Sequence, residues 1–194
     1  MVLRRAKSSS LLLLVLAGAI GIVSSTQTWL IVSRADGGED VPVAGAAALP
    51  VLAPLSLTAL ALAAAIALVG RVLRYVFAGI GVIVAGILGA TTLTILLQHP
   101  LSAVAPSLTT VTGLAGESAL SGAVQGITAT FWPWLALAAW VLLLAGSLLV
   151  LATSRSWRAA GRRFRTDQGP HAADAPADAV ESWDDLSRGT DPTR

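Results

Sequence analysis

Four long stretches of this chain, residues 8–33, 41–70, 75–116 and 118–154, contain no Asp, Glu, Lys or Arg. A bilayer hydrocarbon core about 30 Å thick is crossed by roughly 20 apolar helical residues. Each stretch is long enough to supply one crossing. The pattern predicts an all-α, polytopic membrane protein with four transmembrane helices, at residues 11–32, 51–70, 75–97 and 131–152. Between them lie a basic head (1–10), a polar acidic loop (33–49), a hairpin (71–74) and a long, almost uncharged loop (98–130). A basic juxtamembrane segment (153–165) and a tail predicted to be disordered (166–194) follow. Four such runs in 194 residues leave too little polar surface for a soluble fold.

Charge then sets the orientation. Arg4, Arg5 and Lys7 stand before the first run, Arg71 and Arg74 between the second and third, and Arg155, Arg158, Arg162, Arg163 and Arg165 after the fourth. The two remaining connections carry only Arg34. Basic residues near span ends stay in the cytoplasm, so the reading is N-in and C-in, in the plasma membrane, with both longer loops outside. Trp29, Trp132 and Trp134 are expected at the outer interface, and Tyr75 and Trp157 at the inner one. The first run reads as an uncleaved signal anchor, because Trp29-Leu30-Ile31-Val32 extends it to spanning length. Cleavage near Val23-Ser24-Ser25 is the alternative.

Composition removes several functions. The chain is 55% hydrophobic and 12% charged, with no cysteine. Disulfides, thiolate metal sites and cysteine nucleophiles are therefore excluded. His99 and His171 lack metal-ligand spacing, so no metal and no cofactor is expected. The net charge of +2 comes mostly from topology signals and gives no argument for nucleic acid. No ionisable residue lies within the four spans, which argues against an ion-coupled transporter. No constellation for acid–base or nucleophilic chemistry is present, so the protein is read as a non-enzyme.

Small residues recur at intervals of four on two spans: Ala17, Gly21 and Ser25 on the first, Gly81, Ala85 and Gly89 on the third. Such stripes let helix backbones approach closely in lipid. Packing within the bundle is one reading; a homo-oligomer is the other. His99, before Pro100, is read as ending its helix. Leu120, Val124 and Ile127 predict a short amphipathic helix over the outer end of the bundle. Arg155, Arg158, Arg162, Arg163 and Arg165, interleaved with Trp157 and Phe164, suit anionic lipid headgroups.

The tail ends in a segment with capping logic. Ser182 can cap a short helix, Asp184 and Asp185 sit at its positive end, and Gly189 closes it. Trp183 and Leu186 share a face at i and i+3. A helix this short is unstable alone in water, so it is expected to fold on a cytosolic protein partner. Trp183, Leu186, Arg188 and Asp191 are the candidate partner-binding residues, with Trp183 as anchor.

These features together resemble the actinobacterial tryptophan-biosynthesis-associated membrane proteins over nearly the whole chain. The resemblance rests on the spacing of the runs, Thr28-Trp29, Trp132-Pro133-Trp134 and Arg162-Arg163 followed by an aromatic. Its most distinctive part is Trp183-Asp184-x-Leu186-Ser187-Arg188-Gly189-x-Asp191-Pro192-Thr193. Phe164 departs from the pattern, which has a larger aromatic there. The resemblance implies a link to tryptophan synthesis and supplies no mechanism. The leading expectation is a membrane anchor or scaffold that recruits a cytosolic partner. The alternative is a facilitator or transporter accessory for tryptophan, indole or a precursor.

Overall fold

The structure is a computed structural model describing residues 2–114 and 116–154, with side chains from residue 7 onward. Its elements are α1 (Val2–Thr26), β1 (Thr28–Arg34), β2 (Val41–Ala44), α2 (Gly45–Ala48) and α3 (Leu52–Leu68). Then follow α4 (Arg71–Gln98), α5 (Leu101–Thr112), α6 (Glu117–Ala123), β3 (Val124–Ala129) and α7 (Trp132–Thr153).

Four helices form the body. α1 packs against α3 and α7, and α4 closes the bundle by packing against the same two. Prolines mark the helix starts. Pro54 in α3 and Pro133 in α7 fall in the first turn, where an amide has no intrahelical acceptor to lose. α4 stops at His99, whose backbone turns left-handed at φ 43° ahead of Pro100. Proline excludes the right-handed helical region from the residue before it, which makes this a natural stop.

The expectation of four spans is corrected. Lys7–Thr26, Arg71–Gln98 and Trp132–Thr153 are the three helices long and apolar enough, by length and composition, to cross a membrane among the described residues. The second expected span, 51–70, is the 17-residue α3. At 1.5 Å per residue it reaches about 26 Å, short of a hydrocarbon core of about 30 Å. The charge-free run 41–70 looked longer because it also contains β2, α2 and the turn at Pro50. Val69 then leaves the helix in an extended conformation.

The all-α expectation is corrected as well. Strands β2, β1 and β3 form an antiparallel sheet in the order β2-β1-β3. β1 carries residues 28–34, the end of the first apolar run, so the first helix stops at Thr26 and not at Val32. Thr28-Trp29-Leu30-Ile31-Val32 is rich in β-branched and aromatic residues, which suit a pleated, half-buried surface. Ile31 stands opposite Pro42 on one side and Thr128 on the other, and Val32 opposite Val41 and Ile127. Pro42 is tolerated because β2 is an edge strand with no second partner to donate to. The helix expected around Leu120, Val124 and Ile127 is half of that: α6 holds Leu120, and Val124 and Ile127 belong to β3.

Size sorts the side chains of the bundle. Ala17, Ala59, Ala63, Ala78, Ala85, Ala136 and Ala139 are buried between helices. Large apolar residues such as Leu12, Val15, Ile83, Ile87, Val141 and Leu148 face outward and are exposed. In water this would be an apolar surface far larger than a soluble monomer shows. In lipid it is the stable arrangement, because small residues bring helices into close contact and hydrocarbon solvates the large ones. The sheet, α2, α5 and α6 gather at one end of the bundle as a cap. There Leu30, Val32, Val43, Val104, Leu108 and Leu120 extend the core beyond the helices.

Candidate functional site

Two arrangements of polar groups stand out, one inside the bundle and one beneath the cap. Inside, Trp140 of α7 is 2% exposed and donates its indole N–H to Thr92 Oγ1 of α4 at 3.2 Å. Gly21 of α1 makes room for this ring. A methyl group placed there would lie 2.6 Å from Trp140 Cη2 and would also overlap the Ser56 hydroxyl. Ser56 donates to the Leu52 carbonyl one turn back at 2.7 Å, so it is satisfied within α3. Four helices thus meet around Gly21, Ser56, Thr92 and Trp140, with no space for an added carbon at Gly21.

The stripe residues fall into two groups. Ala17, Gly21 and Ser25 are all buried, and Ser25 donates to the Ile22 carbonyl at 2.7 Å. Gly81 and Ala85 are buried too. An added methyl at Gly81 would overlap the hydroxyl of Ser147 on α7. That hydroxyl is buried and has no hydrogen-bond partner, a cost accepted for close approach of α4 to α7. Gly89 lies apart, with nothing near the position of a Cβ.

Beneath the cap, Trp29 is fully buried. Its indole N–H reaches both the Ser24 hydroxyl, at 2.9 Å, and the Ser24 carbonyl, at 3.0 Å. The expectation of an interfacial Trp29 is therefore corrected: β1 folds its ring back over the end of α1. Trp134 and Phe131 are exposed aromatics of that end. Gly45 permits the geometry, since a Cβ there would lie 2.7 Å from both Ser24 O and Trp29 Nε1. Four more hydrogen bonds gather at the same spot. The Gly45 amide donates to the Gln27 carbonyl (2.9 Å), the Thr130 amide to the Trp29 carbonyl (2.9 Å), and the Thr130 hydroxyl to the Thr28 carbonyl (2.6 Å). The Trp132 amide donates to Thr130 Oγ1 at 3.3 Å, which ties the start of α7 to the sheet.

The turn after β1 is organised by Asp36. Its carboxylate accepts from the Gly38 amide at 3.0 Å and pairs with the Arg34 guanidinium. These contacts, the amide first and Arg34 second, hold the Asp36 carboxyl below its ordinary value of 3.8. Gly37 takes φ +72°, the left-handed conformation that this turn requires. Two cavities open in the cap. One, of about 500 Å³, is lined by Arg34, Asp36, Thr112, Leu114 and Ala119 among others. The second, of about 580 Å³, is bordered by β1, β2 and the start of α7.

Among the described residues no group of three or more His, Cys, Asp or Glu is placed to hold a metal ion. His99 serves as the C-cap of α4, its amide bonded to the Ile95 carbonyl at 3.1 Å. Trp183, Leu186, Arg188 and Asp191 lie outside the described residues, as do Arg155, Arg158, Arg162, Arg163 and Arg165. Trp140, about two turns inside α7, is not among the sequence-predicted site residues. Its signal was the one indole at depth, since a buried indole N–H needs an acceptor and Thr92 is the kind of residue that supplies one.

Against known proteins, a family model described as tryptophan-associated transmembrane protein matches residues 11–193. No curated protein and no solved structure matches the chain.

Proposed function

The chain belongs to the family of tryptophan-associated transmembrane proteins, and from that membership we propose a non-enzymatic membrane anchor whose tail recruits a cytosolic partner. On this reading the tail after α7 lies in the cytoplasm, on the inner side of the plasma membrane that holds the bundle. The basic residues flanking the apolar runs support that orientation. Arg155, Arg158, Arg162, Arg163 and Arg165 would hold the start of the tail against anionic headgroups. Trp183 and Leu186 would dock as one apolar face, with Arg188 and Asp191 setting register through charge.

The observation that carries this reading is the closure of the bundle at Gly21, Ser56, Thr92 and Trp140. Among the described residues these side chains pack together at that level, which favours an anchoring role over passage through a single copy. A facilitator for tryptophan, indole or a precursor would need a path between copies, and the outward Gly89 is the stripe residue left for such a contact. Recovery of partners from membranes, with the natural tail and with Trp183→Ala, tests the anchor. Loss of a defined partner with the variant is expected. Equal recovery with both would reject docking through that residue, and altered tryptophan flux in deletion cells that the Trp183→Ala protein fully restores would favour the facilitator.

A further inference from the structure

The 580 Å³ cavity at the cap has two unlike ends. Phe131 and Trp132 form an aromatic end, and Phe131 is 70% exposed. Ile31 and Pro42, directly opposite each other in the β1–β2 ladder, form an apolar floor. Asp40, the residue before β2, stands beyond Pro42 at the far end, and Gln27, next to Thr28, adds a polar group at the aromatic end. The Gln27 amide nitrogen donates to Thr26 Oγ1 at 3.3 Å, so its oxygen is the atom suited to receive a ligand's proton.

The charge of this cavity has one sign. Among the described residues no Lys or Arg lines it, and the nearest guanidinium in sequence, Arg34, pairs with Asp36 and borders the other cavity. A carboxylate without a neighbouring cation, beside an exposed ring face, attracts a cation with an apolar body. Size agrees with this. From Thr28, at the aromatic end, to Ile31 the strand advances about 10 Å at roughly 3.3 Å per residue. That is the reach of an aryl ring joined to an amine through a short alkyl linker. We propose that this cavity binds a small organic ammonium with an aromatic body, its nitrogen against Asp40 and its ring against Phe131 and Trp132, beside Gln27. The site is independent of the tail and of any partner the tail recruits. A free arylalkylamine and the ethanolamine headgroup of a lipid share the ammonium, and the test separates them.

Full-length protein is placed in phosphatidylglycerol nanodiscs, which carry no lipid amine, and titrated with tryptamine by calorimetry against empty nanodiscs. Saturable binding is expected, weakened about tenfold or more by Asp40→Asn and by Phe131→Ala. Asp40→Glu keeps the charge and should retain binding, and Asp36→Asn, in the neighbouring turn, should leave affinity unchanged. Indole-3-propionate, with the same ring and the opposite charge, should bind about tenfold more weakly or worse. Full tryptamine affinity in Asp40→Asn, equal affinity for indole-3-propionate, or no saturable binding would overturn the assignment. Phosphatidylethanolamine is then added to the bilayer. Unchanged affinity supports a free arylalkylamine, and competition by this amine without a ring would overturn the aromatic part of the assignment.

Discussion

Trp140 and Thr92 share a hydrogen bond of 3.2 Å across the seam between α7 and α4, with both side chains shut off from solvent. Neither helix can satisfy that indole N–H alone. Thr92→Val keeps the shape and removes the acceptor, so the donor is left unpaired in an apolar interior. A loss of about 1 kcal/mol is expected, within the range measured for side-chain bonds between membrane helices. Thr94 donates to the Ala90 carbonyl of its own helix and is exposed. Thr94→Val should therefore change little. Unfolding of both variants in mixed micelles of increasing SDS fraction checks the contrast.

Gly21 and Gly89 make a second contrast. Gly21→Ala forces a methyl against Trp140 and Ser56, and overpacking of this kind costs about 1–3 kcal/mol. Gly89→Ala meets nothing within 4 Å. It should be neutral, or stabilising by up to about 1 kcal/mol through helix propensity. The same SDS titration reads both. Equal loss at the two positions would contradict the packing described for α1.

The cap depends on Trp29. Trp29→Phe keeps one aromatic ring, leaves space where the rest of the indole packed, and deletes the N–H that joins β1 to Ser24. Hydrogen exchange should speed up at the Thr130 and Gly45 amides, which bond beside it, while amides at the centre of α4 keep their protection. Gly45→Ala should produce the same pattern by steric displacement of the ring.

Asp36 predicts a pH response confined to its turn. Its carboxyl is held below 3.8 by the Gly38 amide and Arg34, so the charged form is the one that orders the turn. The sign follows: the stabilisation is complete above the unfolded pKa and is lost as pH falls through the lower, folded value. Protection of the Gly38 amide should be constant above about pH 4, beyond the intrinsic pH dependence of exchange, and decline below it. Asp36→Asn should abolish that decline, and bundle amides should show no matching transition.

The membrane character and the family were legible in the residues: the charge-free runs gave the first, and Thr28-Trp29, Trp132-Pro133-Trp134 and the tail motif the second. The division of the runs was not. Hydropathy scores Thr28 to Val32 as more of the same apolar stretch, although these residues pair as β1 with Pro42 and Thr128. That pairing is long-range, with partners almost a hundred residues away in β3, and no local period announces it. The shortness of α3 was hidden for a related reason, since β2 and α2 are as apolar as the helix they precede. Trp29 was assigned to the interface by its position at the end of a run. Its burial follows from Gly45, a small residue whose purpose appears only when α2 is seen against α1. At the candidate sites, Gly81 and Gly89 are equivalent in the sequence stripe, and only the rotation of α4 against α7 separates the packed one from the open one.

The closed interior of the bundle is the claim on which the functional reading rests, and thiol accessibility tests it most directly. The natural chain has no cysteine, so single substitutions carry no background. Ala85→Cys and Ala139→Cys place small thiols at buried positions in α4 and α7, and Ala35→Cys places one in the exposed turn after β1. In sealed vesicles treated from either side with a charged, water-soluble methanethiosulfonate, Ala35→Cys should react and the two buried positions should not. Modification of Ala85→Cys or Ala139→Cys at a rate near that of Ala35→Cys would show a water-filled path through the bundle and contradict the account.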